Sequence, residues 1–316
     1  MAMYINLISH YLPKQIIRND YFKKVNGLSE EWILSRTGIQ ERRKALPKEN
    51  TNTMANEAVK VALKQLPYSI TDIDLIIGAT YTPYDTIGTL AHSVQNEFNI
   101  SDTKAISIST ACSSFINAIE IVEGYFATKK ANKALIIASE HNTAYHDEKD
   151  MQAGHLWGDG AAAIFISKEQ LSEKDYQIVD VITKGLGNIG KSINGVSLHP
   201  ANGGIKMPFG KDVFINANKY MTESIIDILN RNNISIDDIN FVIPHQANIK
   251  IIENVRKQLK VNKEKVLVNI DKLGNTGCAS TPITFSQNQN KFKKGDLIAF
   301  TVFGGGYSSG AMLVKK

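Results

Sequence analysis

An internal repeat constrains this chain more than any other feature of its sequence. Ile70-Thr71-Asp72-Ile73-Asp74-Leu75-Ile76-Ile77 returns as Ile236-Asp237-Asp238-Ile239-Asn240-Phe241-Val242-Ile243, an offset of 166 residues. At the same offset Thr110-Ala111-Cys112-Ser113-Ser114 falls on Thr276-Gly277-Cys278-Ala279-Ser280. A helical stripe precedes each first match, Met54, Ala58, Ala62 and Leu66 in one half and Phe214, Ala217, Met221, Ile225 and Ile228 in the other. Both spacings fit the 3.6-residue period of a helix. The Ile- and Val-rich runs that follow are bounded by turns and read as buried strands. Further strands are predicted at 105–109, 134–138, 161–166, 266–270, 297–302 and 311–314. Strands alternating with helices predict an α/β fold with mixed sheets. The repeat predicts two similar halves packed about a pseudo-twofold axis. The polar stretch from Lys168 to Asp175 marks their junction, dividing the chain into 1–170 and 171–316. Gly185 to Gly210 is glycine-rich without a strong period and predicts a long functional loop.

Composition narrows the class. The chain has 316 residues, 43% apolar and 21% charged, which suits a globular protein of about two domains. Two cysteines, Cys112 and Cys278, allow neither a disulfide scaffold nor a cysteine zinc site. Apolar runs fall short of the ~20 residues that span a bilayer. The N-terminus lacks a basic n-region, so a cytoplasmic protein is expected. The net charge of +5 fits either nucleic acid or an acidic protein partner.

Several motifs compete for a functional reading. Gly185-Leu186-Gly187-Asn188-Ile189-Gly190 fits G-x-G-x-x-G, but no helix follows to receive a pyrophosphate, so a loop is expected. Gly306-Tyr307-Ser308-Ser309-Gly310 fits G-x-S-x-G, but no Asp or His follows it to complete a hydrolase triad. None of the seven histidines makes H-E-x-x-H. Cys112 is different. It follows a predicted strand and opens an apolar helix carrying Phe115, Ile116, Ile119 and Val122. Free N–H groups at a helix N-terminus favour the thiolate, which is the nucleophile. Cys278 holds the equivalent place in the repeat, so position alone does not choose between them. His245 ends a strand in Ile243-Pro244-His245-Gln246-Ala247-Asn248, and Asn275 lies in Gly274-Asn275-Thr276-Gly277. Strand ends are where functional groups collect in α/β folds.

Six segments in order carry a resemblance along the whole chain. They are Trp32-Ile33-Leu34-Ser35-Arg36-Thr37-Gly38-Ile39-Gln40-Glu41-Arg42, Thr110-Ala111-Cys112-Ser113-Ser114-Phe115, Gly158-Asp159-Gly160-Ala161, Pro244-His245-Gln246-Ala247-Asn248, Gly274-Asn275-Thr276 and Phe303-Gly304-Gly305-Gly306. Together the chain resembles the 3-oxoacyl-[acyl-carrier-protein] synthase III group of the thiolase-like superfamily. That resemblance implies two halves in five αβαβα layers, usually as a homodimer. It implies a decarboxylative Claisen condensation between an acyl thioester primer and a malonyl-acyl-carrier protein, with Cys112, His245 and Asn275 as the catalytic triad. It further implies Gly305 in the oxyanion hole, Phe303 against the malonyl carboxylate, and Trp32 and Arg36 at the CoA or phosphopantetheine mouth. An acyl carrier protein is implied as partner, docking on Lys250, Arg256 and Lys257. No metal or redox cofactor, nucleic acid or membrane is implied.

The chain also departs from the pattern. Met151 stands where the family often has an Arg for CoA phosphates, and Ile87 where it often has a Phe that closes the acyl channel across the dimer interface. Ile87 is expected to lengthen the primer pocket and Trp157 to shorten it, with the balance leaning toward a medium-length or branched acyl group over acetyl. Thr110, Ser113, Ser114, His155 and Trp157 suggest a pocket altered for another primer or extender. A condensing enzyme of a specialised-metabolite pathway (polyketide, alkylresorcinol or quinolone type) is thus an alternative to initiation of fatty acid synthesis. An inactive pocket-shaping partner subunit is a third reading, set against the presence of all three triad positions.

Overall fold

The computed structural model describes residues 2–316. Among them, nine strands form one mixed sheet in the order Phe241–Pro244, Leu297–Gly304, Ser308–Lys315, Tyr176–Gly185, Met3–Tyr11, Gly160–Ser167, Lys133–Glu140, Leu75–Ala79 and Lys104–Ile108. The sheet has two parts, joined where Met3, Tyr4 and Ile5 pair antiparallel with Ile178, Gln177 and Tyr176. Each part is parallel at its far edge, Leu75–Ala79 beside Lys104–Ile108 in one and Phe241–Pro244 beside Leu297–Gly304 in the other.

Strand alternation explains the layers. Successive side chains of a strand point to opposite faces. Leu75 and Ile77 therefore enter a central core while Ile76 enters an outer one. Ile298, Phe300 and Val302 likewise join the central core and Ala299 and Phe303 the opposite outer one. The central core holds the inner face of Ser114–Ala127, through Phe115, Ile119 and Val122, and Ile283 and Phe285 of Ser280–Gln287. One outer core is capped by Thr51–Leu63 and Leu90–Glu97, the other by Gly210–Arg231 and Ile249–Gln258. Helix, sheet, helix, sheet and helix follow in five layers. The repeated segments land on repeated elements. Ile70–Asp72 and Ile236–Asp238 are both single 3₁₀ turns, and each leads into the first strand of its half.

One predicted strand is absent. Residues 266–270 form only an isolated bridge between Val266 and Val242, and Ile270–Leu273 is a short helix. A side chain ends the ladder: Gln246 Oε1 accepts the Asn269 N–H at 3.0 Å, taking a donor that a strand would use. The glycine-rich segment contains more structure than expected, a small hairpin of Ser197–His199 and Gly204–Lys206. Gly185 to Gly190 is a strand end and turn without a helix, as its context predicts. The strands Met3–Tyr11 and Tyr176–Gly185, which join the two parts, carry no clear signal in the sequence.

Candidate active site

The turn that carries Cys112 is built by backbone geometry. Ala111 sits at φ +51°, a left-handed conformation that costs a non-glycine residue roughly 1–2 kcal/mol. That strain turns the chain sharply between the Lys104–Ile108 strand and the Ser114–Ala127 helix. Ser114 Oγ accepts the Thr110 N–H at 2.8 Å and donates to the Ala111 carbonyl at 2.7 Å, locking the turn. Ser308 Oγ adds a bond of 3.1 Å to the Thr110 carbonyl and lies 2.6 Å from Ser113 Oγ. The G-x-S-x-G serine thus braces this turn. Gly304 has no substitute here, since a Cβ would lie 2.6 Å from the Thr110 carbonyl oxygen and 3.0 Å from the Cys112 nitrogen.

A cavity of about 390 Å³ brings the separated motifs together. Cys112, His245, Asn275, Phe303, Gly305 and Trp157 all line it. So do Val196, Leu198, Ile205 and Met207 of the glycine-rich segment, which gives that loop its role as a wall. Ile193, 69% exposed, lines it as well.

The Cys112 thiol is pushed up to about 12, contrary to the thiolate expected from the helix start. Burial is the main cause, followed by the carboxyl of Glu140. The Tyr81 hydroxyl and the N–H groups of Gly305 and Cys112 itself act the other way and do not prevail. The helix N-terminus gives little help because its N–H groups are taken: Ser113 and Ser114 donate to the carbonyls of Thr110 and Ala111.

His245 ends the Phe241–Pro244 strand and is 3% exposed. Burial lowers its imidazole to about 4, so the ring is neutral near pH 7. Its Nδ1 lies 2.7 Å from Ser280 Oγ. The turn that carries it is held by the buried Gln246, whose amide donates to the Pro244 carbonyl at 2.6 Å. Asn275 is fixed from both sides. Its Oδ1 accepts the Gly277 N–H at 2.9 Å, which leaves the Nδ2 end for the cavity. Its backbone N–H donates to the Leu156 carbonyl at 2.8 Å, and its carbonyl accepts the Gly158 N–H at 3.0 Å. This close approach explains the G-D-G-A and Gly274 motifs, because a Cβ on Gly158 would lie 2.0 Å from the Leu273 carbonyl oxygen. Asp159 and Arg42 serve the same scaffold: Asp159 accepts the Ala45 N–H at 2.8 Å, and buried Arg42 donates to the His155 carbonyl at 2.7 Å.

Phe303 stacks on Tyr220, with ring centroids 6.3 Å apart and planes 7° from parallel. Trp157 is buried, and its indole N–H has no partner. Other predicted residues lie outside the cavity wall. Trp32 packs edge-on against His155, and the Arg36 guanidinium sits 4.9 Å over the Trp32 ring. Ile87 is 88% exposed and does not reach the cavity of its own chain. Lys250 and Lys257 are exposed on the Ile249–Gln258 helix. Arg256 is not a free cation as expected; it pairs with Glu253 at 3.0 Å and donates to the Val261 carbonyl at 3.1 Å.

Two residues beside Cys112 were missed from sequence. Tyr81 lines the cavity, and Glu140 lies fully buried next to it. The Glu140 carboxyl is pushed up to about 7 by burial, while it accepts from the hydroxyls of Thr80 and Thr82 at 3.1 and 2.5 Å. The one sequence signal for it is an acidic residue at the end of an otherwise apolar strand, Lys133–Glu140. Among the described residues, no group of three or more His, Cys, Asp or Glu is placed to hold a metal ion. No helix among them is long and apolar enough to cross a membrane.

This geometry has close relatives. Residues 106–186 match the family profile described as 3-oxoacyl-[acyl-carrier-protein (ACP)] synthase III, and residues 229–316 match that of its C-terminal part. The chain belongs to the 3-oxoacyl-[acyl-carrier-protein] synthase III family. It is 36% identical over 313 residues to the β-ketoacyl-[acyl-carrier-protein] synthase III of Ehrlichia ruminantium (strain Welgevonden), covering 98% of this chain and 97% of that protein. It is 39% identical over 316 residues to the enzyme of that name from Clostridium perfringens (strain SM101), covering 96% of each. The crystal structure of 3-oxoacyl-[acyl-carrier-protein] synthase III from Aquifex aeolicus superposes with a TM-score of 0.92 at 35% identity, covering 99% of this chain and all of that one. The thiolase-like fold expected from the sequence is the fold of these enzymes.

Proposed function

We propose that this chain is an acyltransferase that starts fatty acid synthesis by condensing an acyl thioester with a malonyl-acyl-carrier protein. The observation that carries this reading is the convergence of Cys112, His245 and Asn275 on one cavity. Cys112 Sγ attacks the primer thioester carbon, and the tetrahedral oxyanion takes hydrogen bonds from the N–H groups of Cys112 and Gly305. Collapse expels the primer's thiol, which leaves with the Cys112 proton, and the acyl group stays on Sγ.

Malonyl thioester then enters. Its terminal C–C bond breaks, CO2 departs, and the electron pair forms an enolate. The reaction uses the tautomer in which the Ser280 hydroxyl, 2.7 Å from His245 Nδ1, donates to that nitrogen, leaving the ring proton on Nε2 to meet the enolate oxygen. Asn275 Nδ2 is the second donor. Both are neutral, and burial keeps His245 so at physiological pH. Removing one such donor costs roughly 3–4 kcal/mol of barrier. Phe303 presents an apolar face to the malonyl carboxylate, and an unpaired charge against it is costly. The carbanion attacks acyl-Cys112 and releases a 3-oxoacyl thioester. The Cys112 thiolate leaves and takes a proton from solvent, which its raised affinity for a proton favours.

These steps are complete with thioester substrates and the residues named; they call on no metal or redox group. Trp32 and Arg36 receive the nucleotide or phosphopantetheine end, and Lys250 and Lys257 meet the acidic carrier protein. The units 1–170 and 171–316 each supply part of the triad, and the chain works as a cytoplasmic homodimer. The names carried by relatives at 36–39% identity support the fatty acid role over a specialised-metabolite pathway. An intact triad supports an active enzyme over an inactive partner subunit. The test is mass spectrometry of the protein incubated with acyl-CoA and acyl-carrier donors, then with malonyl-carrier. Acylation followed by discharge as a 3-oxoacyl thioester is expected; no covalent acyl-enzyme from any donor contradicts the proposal.

A further inference from the structure

Tyr81 follows the Leu75–Ala79 strand and lines the cavity beside Cys112. Its hydroxyl acts on the Cys112 thiol, favouring the thiolate against the effect of burial. It also donates to Asn142 Oδ1 at 2.7 Å. Asn142 is anchored in turn, its amide donating to the Gly158 carbonyl at 2.7 Å and the Asn275 carbonyl at 3.3 Å. The ring is wedged as well as tethered. A Cβ on Gly277 would lie 2.6 Å from the Tyr81 hydroxyl oxygen and 2.7 Å from its ring. Tyr81 is a fixed wall, not a rotating gate.

We propose that Tyr81 sets the size of the acyl group that Cys112 can carry, restricting the primer to short, unbranched chains. This rests on the condensing-enzyme reading. The oxyanion donors at Cys112 and Gly305 fix the acyl oxygen. Val196, Leu198 and Met207 line the same cavity and offer the thioester arm an apolar wall. The remaining substituent of the acyl carbon, its alkyl chain, then points at Tyr81. Ile87, expected to act across the dimer interface, is exposed on its own chain, so Tyr81 is the wall that each chain supplies to its own cavity.

The test is a series of acetyl, butyryl, hexanoyl and octanoyl thioesters, read as Cys112 acylation rates by mass spectrometry. The native enzyme should load acetyl fastest and slow with each added carbon. Tyr81→Ala should reverse the order and gain about fourfold per added methylene, the factor that ~0.8 kcal/mol per buried CH2 gives. Tyr81→Phe, which keeps the ring, should keep the native order. Tyr81→Leu retains apolar packing and serves if the alanine variant does not fold; it should shift the optimum to longer chains. An unchanged order in the alanine or leucine variant, or native preference for a long chain, overturns the proposal. Failure of the native enzyme to load any donor counts against the condensing reading instead.

Discussion

Cys112 and Cys278 occupy equivalent turns of the two halves, and the structure treats them differently. Both follow a left-handed residue, Ala111 at φ +51° and Gly277 at φ +58°, and both precede a helix packed in the central layer. Cys112 is partly accessible and faces the cavity. Cys278 is 1% exposed, with its thiol directed at the Ala79 carbonyl at 3.3 Å and its N–H near Glu140. Burial pushes both thiols up, so neither turn is a ready thiolate. What separates them is access, together with the Gly305 N–H that Cys112 has beside it. In the second half the functional group has moved three residues earlier, to Asn275. A duplicated turn has thus brought a cysteine from one half and an asparagine from the other to one cavity, the nucleophile and the hydrogen-bond donor of the proposed reaction.

The comparison can be broken by substitution. Cys112→Ala should abolish acyl-enzyme formation, while Cys278→Ala should retain it, as intact mass after incubation with acyl thioester would reveal. His245→Ala should still load Cys112 but lose malonyl decarboxylation by about 10²–10³-fold, measured as CO2 release. Because His245 is lowered to about 4, decarboxylation by a Glu140→Gln variant, which lacks the carboxyl pushed up to about 7, should be flat from neutral pH to well into the acid range. That variant's decarboxylation rate halving as pH falls from 7 to 6 would contradict a neutral imidazole donor.

The two left-handed positions sharpen the contrast. Gly277→Ala must place a Cβ 2.6 Å from the Tyr81 hydroxyl oxygen at a positive φ, and should cost roughly 2–4 kcal/mol of stability. Ala111→Gly only relieves backbone strain and should shift stability by less than about 1 kcal/mol. Thermal denaturation of both variants checks this. Iodoacetamide alkylation of Cys112 should rise about tenfold per pH unit between pH 7 and 9, because a thiol pushed up to about 12 is far from half-ionised there. A plateau in that range would mean a stabilised thiolate. The smallest effect belongs to Lys250→Glu, expected to raise KM for the malonyl carrier several-fold at low salt and less at high salt.

Much of this was legible in the sequence because it depends on local signals. The repeat fixed which elements correspond, and the ordered motifs point to Cys112, His245 and Asn275, three residues that the fold brings to one cavity. The failures share a cause in tertiary context. The protonated Cys112 follows from burial and from Glu140, 28 positions away in sequence and adjacent only in the fold. Tyr81 carries no motif, and its place beside Cys112 arises from the parallel pairing of Leu75–Ala79 with Lys104–Ile108. Arg256 looked like a surface cation by composition, yet its helix turns it onto Glu253 and the Val261 carbonyl. The missing strand at 266–270 was lost to one side chain, Gln246, that no periodicity reveals.

The central claim is that one of two equivalent cysteines carries the acyl group on the way to product. The direct measurement is a pulse of isotope-labelled acyl thioester followed by a chase of malonyl-acyl-carrier protein, with peptide mapping at intervals. The label should appear on the peptide containing Cys112 and leave it as 3-oxoacyl thioester at the rate of turnover. Label on Cys278, or label on Cys112 that the malonyl chase does not discharge, would contradict the account.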